Sequence, residues 1–184
     1  MLRDPLQVRL SGRGGQGVIL AGVVLAEAGM YDGLQVVHTQ SYGPEARLGA
    51  SKSEVILSQH PIAFPEVVLP DLLLCLSTDS YKQHGAKLAL GGIRVVEERV
   101  QDELEVKDAL LLPILRTAQE LGSPISANLV ALGALVALSQ AVSQESLEKA
   151  IRARVKPALV AVNLKALEAG MRLAEALGRA TVKG

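Results

Sequence analysis

The sequence predicts an α/β fold: a doubly wound, mostly parallel sheet with helices on both faces and a helix-rich C-terminal part. Three observations lead there. A strand, a glycine loop, a helix and a second strand follow one another over the first forty residues. Short unbroken apolar runs, "DLLLCLS" the clearest, suit strands buried on both faces. Past residue 104 this texture gives way to long apolar and amphipathic segments of helical period. No linker rich in Gly, Ser or Pro interrupts the chain and no repeat recurs, so residues 1–184 are read as one domain.

Gln7 to Ser11 is short, extended in character and ends in glycines, which makes it the first strand. "VILAGVVLAEAGMYDG" has no proline and a wide apolar face, which suits a buried helix of about four turns. Gly29 to Gly33 supply its stop. "LQVVHTQ" is the second strand; "SYGPEARLGAS" is a polar turn; "SKSEVILS" alternates as a third strand. "HPIAFPEVVLP" carries three prolines and cannot stay regular. "DLLLCLS" then returns to the sheet, "TDSYKQHGAKLALGG" forms a capped helix with a glycine stop, and "IRVVEE" adds a strand. "DALLLPI" is a last strand or an extended connection, and "LRTAQELG" is helical. Pro124 breaks the chain before "SANLVALGALVALSQA", a strongly apolar helix. "SQESLEKAIRARV" is amphipathic, with Ser143 or Ser146 as its cap, and Pro157 opens the final helix, "PALVAVNLKALEAGMRLAEALG".

Nearly half of the residues are hydrophobic while aromatics make up only 2%, so Leu, Val, Ile and Ala must build the core. Nineteen basic residues balance nineteen acidic ones, leaving no bulk field for nucleic acid or a membrane surface. Cys75, the single cysteine, can form no internal disulfide and cannot hold an iron–sulfur cluster alone. In mid-strand it reads as a small core residue. His38, His60 and His84 match no zinc spacing, and His38 reads as a structural histidine. "MLRDPLQVRL" lacks the apolar core of a secretory signal. The densest apolar run, Ile125 to Val142, is interrupted by Ser126, Asn128, Ser139 and Gln140 and does not suit a bilayer. A cytoplasmic location is expected.

The chemistry centres on "SGRGGQGVILAG". Gly12, Gly14 and Gly17 stand in the spacing G-x-G-x-x-G. Glycines permit positive φ and let a phosphate approach the backbone, and the following helix offers free N–H groups and the positive end of its dipole. Arg13 adds a charge. A nicotinamide site also needs an acid at the end of the second strand, but Val36, Val37, His38, Thr39 and Gln40 occupy that stretch and Glu45 is the first acid after it. Val18 and Ile19 follow Gly17, so the lysine and hydroxyl of a P-loop are missing as well. Three readings remain on these residues: an anion site for phosphate or pyrophosphate, a tight turn that packs helix against strand, and, disfavoured by the missing acid, an NAD or FAD site.

"SGRGGQGVILAG", "TQSYGPEARLGASKSEV", "NLVALGALVAL" and "VNLKALEAG" occur in that order. Together they resemble the gamma subunit of the 2-oxoacid:ferredoxin oxidoreductases over nearly the whole chain, and "TQSYGPEARLGASKSEV" is most similar to the 2-oxoglutarate type. Pyruvate, branched-chain and indolepyruvate types stay open. The resemblance implies a doubly wound domain that has no cofactor chemistry of its own, completes a larger enzyme and helps to hold coenzyme A. The residues it implies at that site are Gly12, Arg13, Gly14, Gly15, Gln16 and Gly17, with Tyr42, Glu45 and Arg47 from the following polar turn. Arg47 is assigned a ligand or a subunit contact; Tyr42 serves either a ligand or turn packing. Lys52 is read as a solvated strand residue. Asn128 caps its helix or bonds the glycine loop, and Asn163 is structural. One departure stands out. The family places Arg-Gly-Gly where this chain has Arg47, Leu48 and Gly49. If that glycine needed positive φ, Leu48 would be strained by roughly 1 kcal/mol.

The family reaction converts a 2-oxoacid, coenzyme A and oxidised ferredoxin into acyl-CoA, carbon dioxide and reduced ferredoxin. The resemblance places thiamine diphosphate, magnesium and the iron–sulfur clusters on partner subunits. No Gly-Asp-Gly segment followed by paired asparagines is present here. The isolated chain is therefore expected to be inactive, with no catalytic or metal-ligating residue of its own. The competing readings are a free-standing dinucleotide- or nucleotide-binding protein and a purely structural assembly subunit.

Overall fold

Alternation along the first strand, β1 (Leu6–Arg13), sorts the molecule into two sides. Val8 and Leu10 join the main apolar cluster, while Arg9 and Ser11 point to the opposite face. The structure is a computed structural model and describes residues 3–41 and 50–181. Further along the chain come β2 (Gln35–Ser41), β3 (Ala50–Ser58), β4 (Leu72–Cys75), β5 (Ile93–Glu97) and β6 (Leu110–Leu112). They form one six-stranded sheet in the order β2-β3-β1-β4-β5-β6. The pairs β1–β4, β4–β5 and β5–β6 are parallel; β1–β3 and β2–β3 are antiparallel. The sheet is thus mostly parallel, as expected. However, β2 is not the direct neighbour of β1. β3 lies between them, with Val8 opposite Val55 and Val55 opposite His38. Position explains the composition of these strands: interior β3 is buried on both faces, whereas edge strand β2 is largely exposed.

The two faces are covered unequally. Helices α1 (Val18–Tyr31), α3 (Ile114–Glu120), α4 (Ala127–Ser139), α5 (Gln144–Arg154) and α6 (Pro157–Thr181) share the main cluster on one face. Among the described residues, the helical elements on the other are α2 (Thr78–His84) and the 3-10 turn Glu98–Asp102, over a small cluster of Leu73, Cys75, Val96 and Val100. The central layer is α4 on α6. Gly133 and Gly170 let these backbones touch: a methyl group at Gly170 would collide with the Val130 carbonyl, and one at Gly133 with that of Leu167.

Helix ends follow the local chemistry. α1 stops at Tyr31, and Gly33 turns the chain at φ 80°. Asp32 beside it accepts hydrogen bonds from the Ser143 N–H (2.6 Å), the Ser143 hydroxyl (2.7 Å) and the Ser146 hydroxyl (2.6 Å). Burial would raise the Asp32 pKa, but these bonds from Ser146 and Ser143 prevail and hold it below the usual carboxylate value. Of the two proposed caps for α5 it is Ser143 that serves, accepting from the Ser146 N–H. α2 is shorter than its sequence suggests. It stops at His84, because the chain must fold back for Ala89 N–H to reach the Pro70 carbonyl and Ile93 N–H the Asp71 carbonyl, which starts β5 beside β4.

On the thinly covered face, Arg9 is buried. It donates to Glu54 on β3 (2.6 Å) and to the Val67 carbonyl (2.6 Å), which anchors the proline-broken segment to the sheet. Lys52 is not a free solvated residue; it pairs with the other oxygen of Glu54 at 2.9 Å.

Candidate functional site

Three features meet at one edge of the sheet. The glycine loop leaves the carboxyl end of β1. The segment from Ser77 leaves the carboxyl end of β4. The chain departs from β2 at Ser41 and re-enters β3 at Ala50, which pairs with Arg13. Tyr42, Glu45, Arg47 and Leu48, which come between these two strand ends in sequence, lie outside the described residues. The shared edge arises because β2 runs parallel to β1 across the antiparallel β3, not because the two strands are neighbours. From β1 the chain passes to α1 on one face, and from β4 to α2 on the other. The gap between β1 and β4 is thus a topological switch point, where open α/β sheets place their ligands.

Inside the loop the glycines have distinct tasks. Gly12 is packed: a Cβ there would lie 2.8 Å from the Gln16 side-chain oxygen and 3.0 Å from Val18. Gly17 adopts φ 74° and is equally enclosed, since a Cβ would lie 2.6 Å from the Asn128 side-chain nitrogen. Gly14 and Gly15 face open space, Gly15 at φ 88°. Among the described residues nothing accepts from the N–H groups of Gly14, Gly15 or Gly17. The loop is thus closed on its inner side and open at its tip, and the tip lies before the N-terminus of α1.

Two amides hold this shape. Gln16 accepts from the Arg13 N–H (2.6 Å) and donates to the Leu76 carbonyl (3.1 Å), bracing the loop against the end of β4. Buried Asn128, at the start of α4, donates to the Gly17 carbonyl (3.0 Å) and accepts from the Leu129 N–H (3.0 Å), so it serves the helix and the loop together. The Arg13 side chain crosses the gap to Asp79 on α2 (3.2 Å). Asp79 is absent from the residues picked out by sequence reasoning. No local signal marks it, because its partner lies 66 positions away.

The remaining singled-out residues are structural. Half-buried His38 bonds Ser53 (2.8 Å), and burial lowers its pKa. Cys75 is fully buried in mid-sheet; burial pushes its thiol up to about 12, far from a thiolate at neutral pH. Asn163 donates to the Leu159 carbonyl one helical turn back (2.8 Å). Among the described residues no group of three His, Cys, Asp or Glu side chains is placed to hold a metal ion, and no helix is long and apolar enough to cross a membrane. Among the described residues the loop tip presents backbone N–H groups and the Arg13 guanidinium, and no nucleophile is paired with a base there.

Comparison with known proteins agrees with this architecture. The family profile of pyruvate ferredoxin/flavodoxin oxidoreductase matches residues 7–173. The 2-oxoglutarate synthase subunit KorC of Methanocaldococcus jannaschii is 46% identical over 177 residues, covering 93% of this chain and 95% of that one. The gamma subunit of a keto/oxoacid ferredoxin oxidoreductase from Geobacter sulfurreducens superposes with a TM-score of 0.81 at 43% identity, covering 93% and 99% of the two chains. The 2-oxoglutarate:ferredoxin oxidoreductase of Magnetococcus marinus, solved with 2-oxoglutarate, coenzyme A and succinyl-CoA bound, superposes with a TM-score of 0.83 at 27% identity. There the match takes in 95% of this chain but 32% of the other.

Proposed function

The chain belongs to the pyruvate ferredoxin/flavodoxin oxidoreductase family, and from that premise we propose that it is the gamma subunit of a 2-oxoacid:ferredoxin oxidoreductase of the 2-oxoglutarate type, working in the cytoplasm. The observation that carries this reading is the likeness to a subunit of 2-oxoglutarate synthase over almost the full length of both chains. Thiamine diphosphate, magnesium and iron–sulfur clusters belong to partner subunits, and ferredoxin accepts the electrons. Thiamine diphosphate supplies the carbanion chemistry when bound to its own subunit. With one buried cysteine, this chain can offer a cluster at most one thiolate.

Its own task is binding. Coenzyme A carries a pyrophosphate and a ribose phosphate. The Gly14, Gly15 and Gly17 N–H groups and the dipole of α1 suit one of these anions, and Arg13 adds a fork of donors beside them. Arg47, between β2 and β3 in sequence, serves a second anion or a partner subunit, with Tyr42 and Glu45 as its neighbours in sequence. The open space at Gly14 and Gly15 supports this assignment over a loop that merely packs.

The test is the reconstituted complex. Arg13→Gln and, separately, Arg47→Gln are expected to raise the KM for coenzyme A and leave that for the 2-oxoacid in place. Loss of assembly with no change in that KM favours the purely structural reading. Turnover of NADH by the isolated chain would overturn the proposal.

A further inference from the structure

We infer that Asp79 is an exchangeable counter-ion: it holds Arg13 across the β1–β4 gap until a phosphate ester displaces it, and so lets the loop choose phosphates over carboxylates. This deepens the coenzyme A reading of the loop and rests on it.

The argument starts from how loosely Arg13 is held. Among the described residues its one side-chain contact runs from a terminal nitrogen to one Asp79 oxygen at 3.2 Å, longer than a strong charge-assisted bond. Both side chains are about half exposed, at 55% and 42%. Buried Arg9, by contrast, sits 2.6 Å from Glu54 and also bonds a carbonyl. Among the described residues the other side-chain donors of Arg13 have no partner, and a phosphate can engage that planar fork through two oxygens while resting on the Gly14 and Gly15 amides.

Among the described residues Asp79 has no second side-chain partner to hold it in place. Although it sits in the first turn of α2, the capping box there is complete without it. Ser77 accepts from the Ser80 N–H and Ser80 from the Ser77 N–H. The carboxylate is thus free to move when Arg13 does.

The chemical consequence is discrimination by charge. An arriving carboxylate offers Arg13 little more than Asp79 already does. A phosphate monoester or pyrophosphate brings more charge and a better match to the fork, so it wins the exchange. The proposed enzyme handles both ligand types, a 2-oxoacid and a phosphate-bearing thiol. A resident carboxylate at this gap keeps the first out of the site of the second.

The experiment uses the assembled complex with Asp79→Asn, Asp79→Ser, Asp79→Glu and Arg13→Gln. Removing the counter-ion is expected to lower the KM for coenzyme A about two- to five-fold, the range of an exposed ion pair. It should also make malonate a better competitor against coenzyme A. Asp79→Glu should restore both values, and the KM for the 2-oxoacid should stay put in every variant. A merely structural role would raise the KM for coenzyme A or alter both substrates together. If Arg13→Gln raises the KM for coenzyme A while neither Asp79→Asn nor Asp79→Ser lowers it, the counter-ion role is wrong and the loop assignment stands. If Arg13→Gln has no effect, both fall.

Discussion

Replacing Gly17 with alanine tests the part of the site most dependent on tertiary packing. Gly15 and Gly17 both have positive φ, 88° and 74°, so an alanine at either pays the left-handed penalty of roughly 1–2 kcal/mol. Their surroundings differ. At Gly15 a Cβ meets nothing within 4 Å, whereas at Gly17 it lies 2.6 Å from the Asn128 side-chain nitrogen. That nitrogen is also the donor to the Gly17 carbonyl, so Asn128 must move and leave a buried hydrogen bond broken. The extra cost is about 2 kcal/mol. In a domain of this length it separates the two variants by roughly 4–8 °C in Tm. Urea and thermal unfolding of the purified chain measure both. In the Asn128→Ala background the extra cost of Gly17→Ala should largely vanish, since the obstacle and the bond are gone. Equal destabilisation by Gly15→Ala and Gly17→Ala would refute the reasoning: the loop would then not be held from α4.

Further outcomes follow from other parts of the fold. Gly170→Ala should cost about 3 kcal/mol or more, because the Val130 backbone has to retreat and α4 with it; a loss under ~0.5 kcal/mol in urea unfolding would disprove that close crossing. His84 links stability to pH. Burial, then the Arg9 charge, lower its pKa from 6.5 to about 4, so the unfolded chain takes up this proton first. Its contribution is complete above about pH 6.5 and declines as pH falls towards 4, by up to about 3 kcal/mol. Buried Glu97, whose pKa is raised by burial, acts with the opposite sign: stability is lost as pH rises from 4.5 through its folded value. Subtracting the profile of His84→Leu from that of the wild type removes the Glu97 part, and a flat difference between pH 7 and 4.5 would contradict the assignment. Cys75 should ignore a thiol reagent at pH 8 in the native chain and react once in denaturant; rapid native labelling would show that the sheet is open there.

Much of this was legible along the chain. Local chemistry wrote the glycine loop, the α1 stop at Gly33, the Ser143 cap and the start of α6 at Pro157, since each depends on residues within a few positions of itself. The end of α2 is not legible along the chain, because "HGAKLALGG" has an ordinary helical texture. What stops the helix is the need for Ala89 and Ile93 to reach Pro70 and Asp71, a demand made by the sheet. The pairing of Lys52 is hidden for a related reason: its partner Glu54 is two residues away, but the burial of Glu54 comes from Arg9 on another strand.

By itself the sequence determined the fold class, the aliphatic nature of the core and the position of the glycine loop, for these depend on composition, period and steric limits that any short segment carries. Only the folded chain decided that β3 separates β2 from β1, that Asn128 and Gln16 shape the loop, and that Arg13 rests on Asp79. Each of those pairings joins residues far apart in order, so the free energy that selects them exists only after the strands and helices have come together.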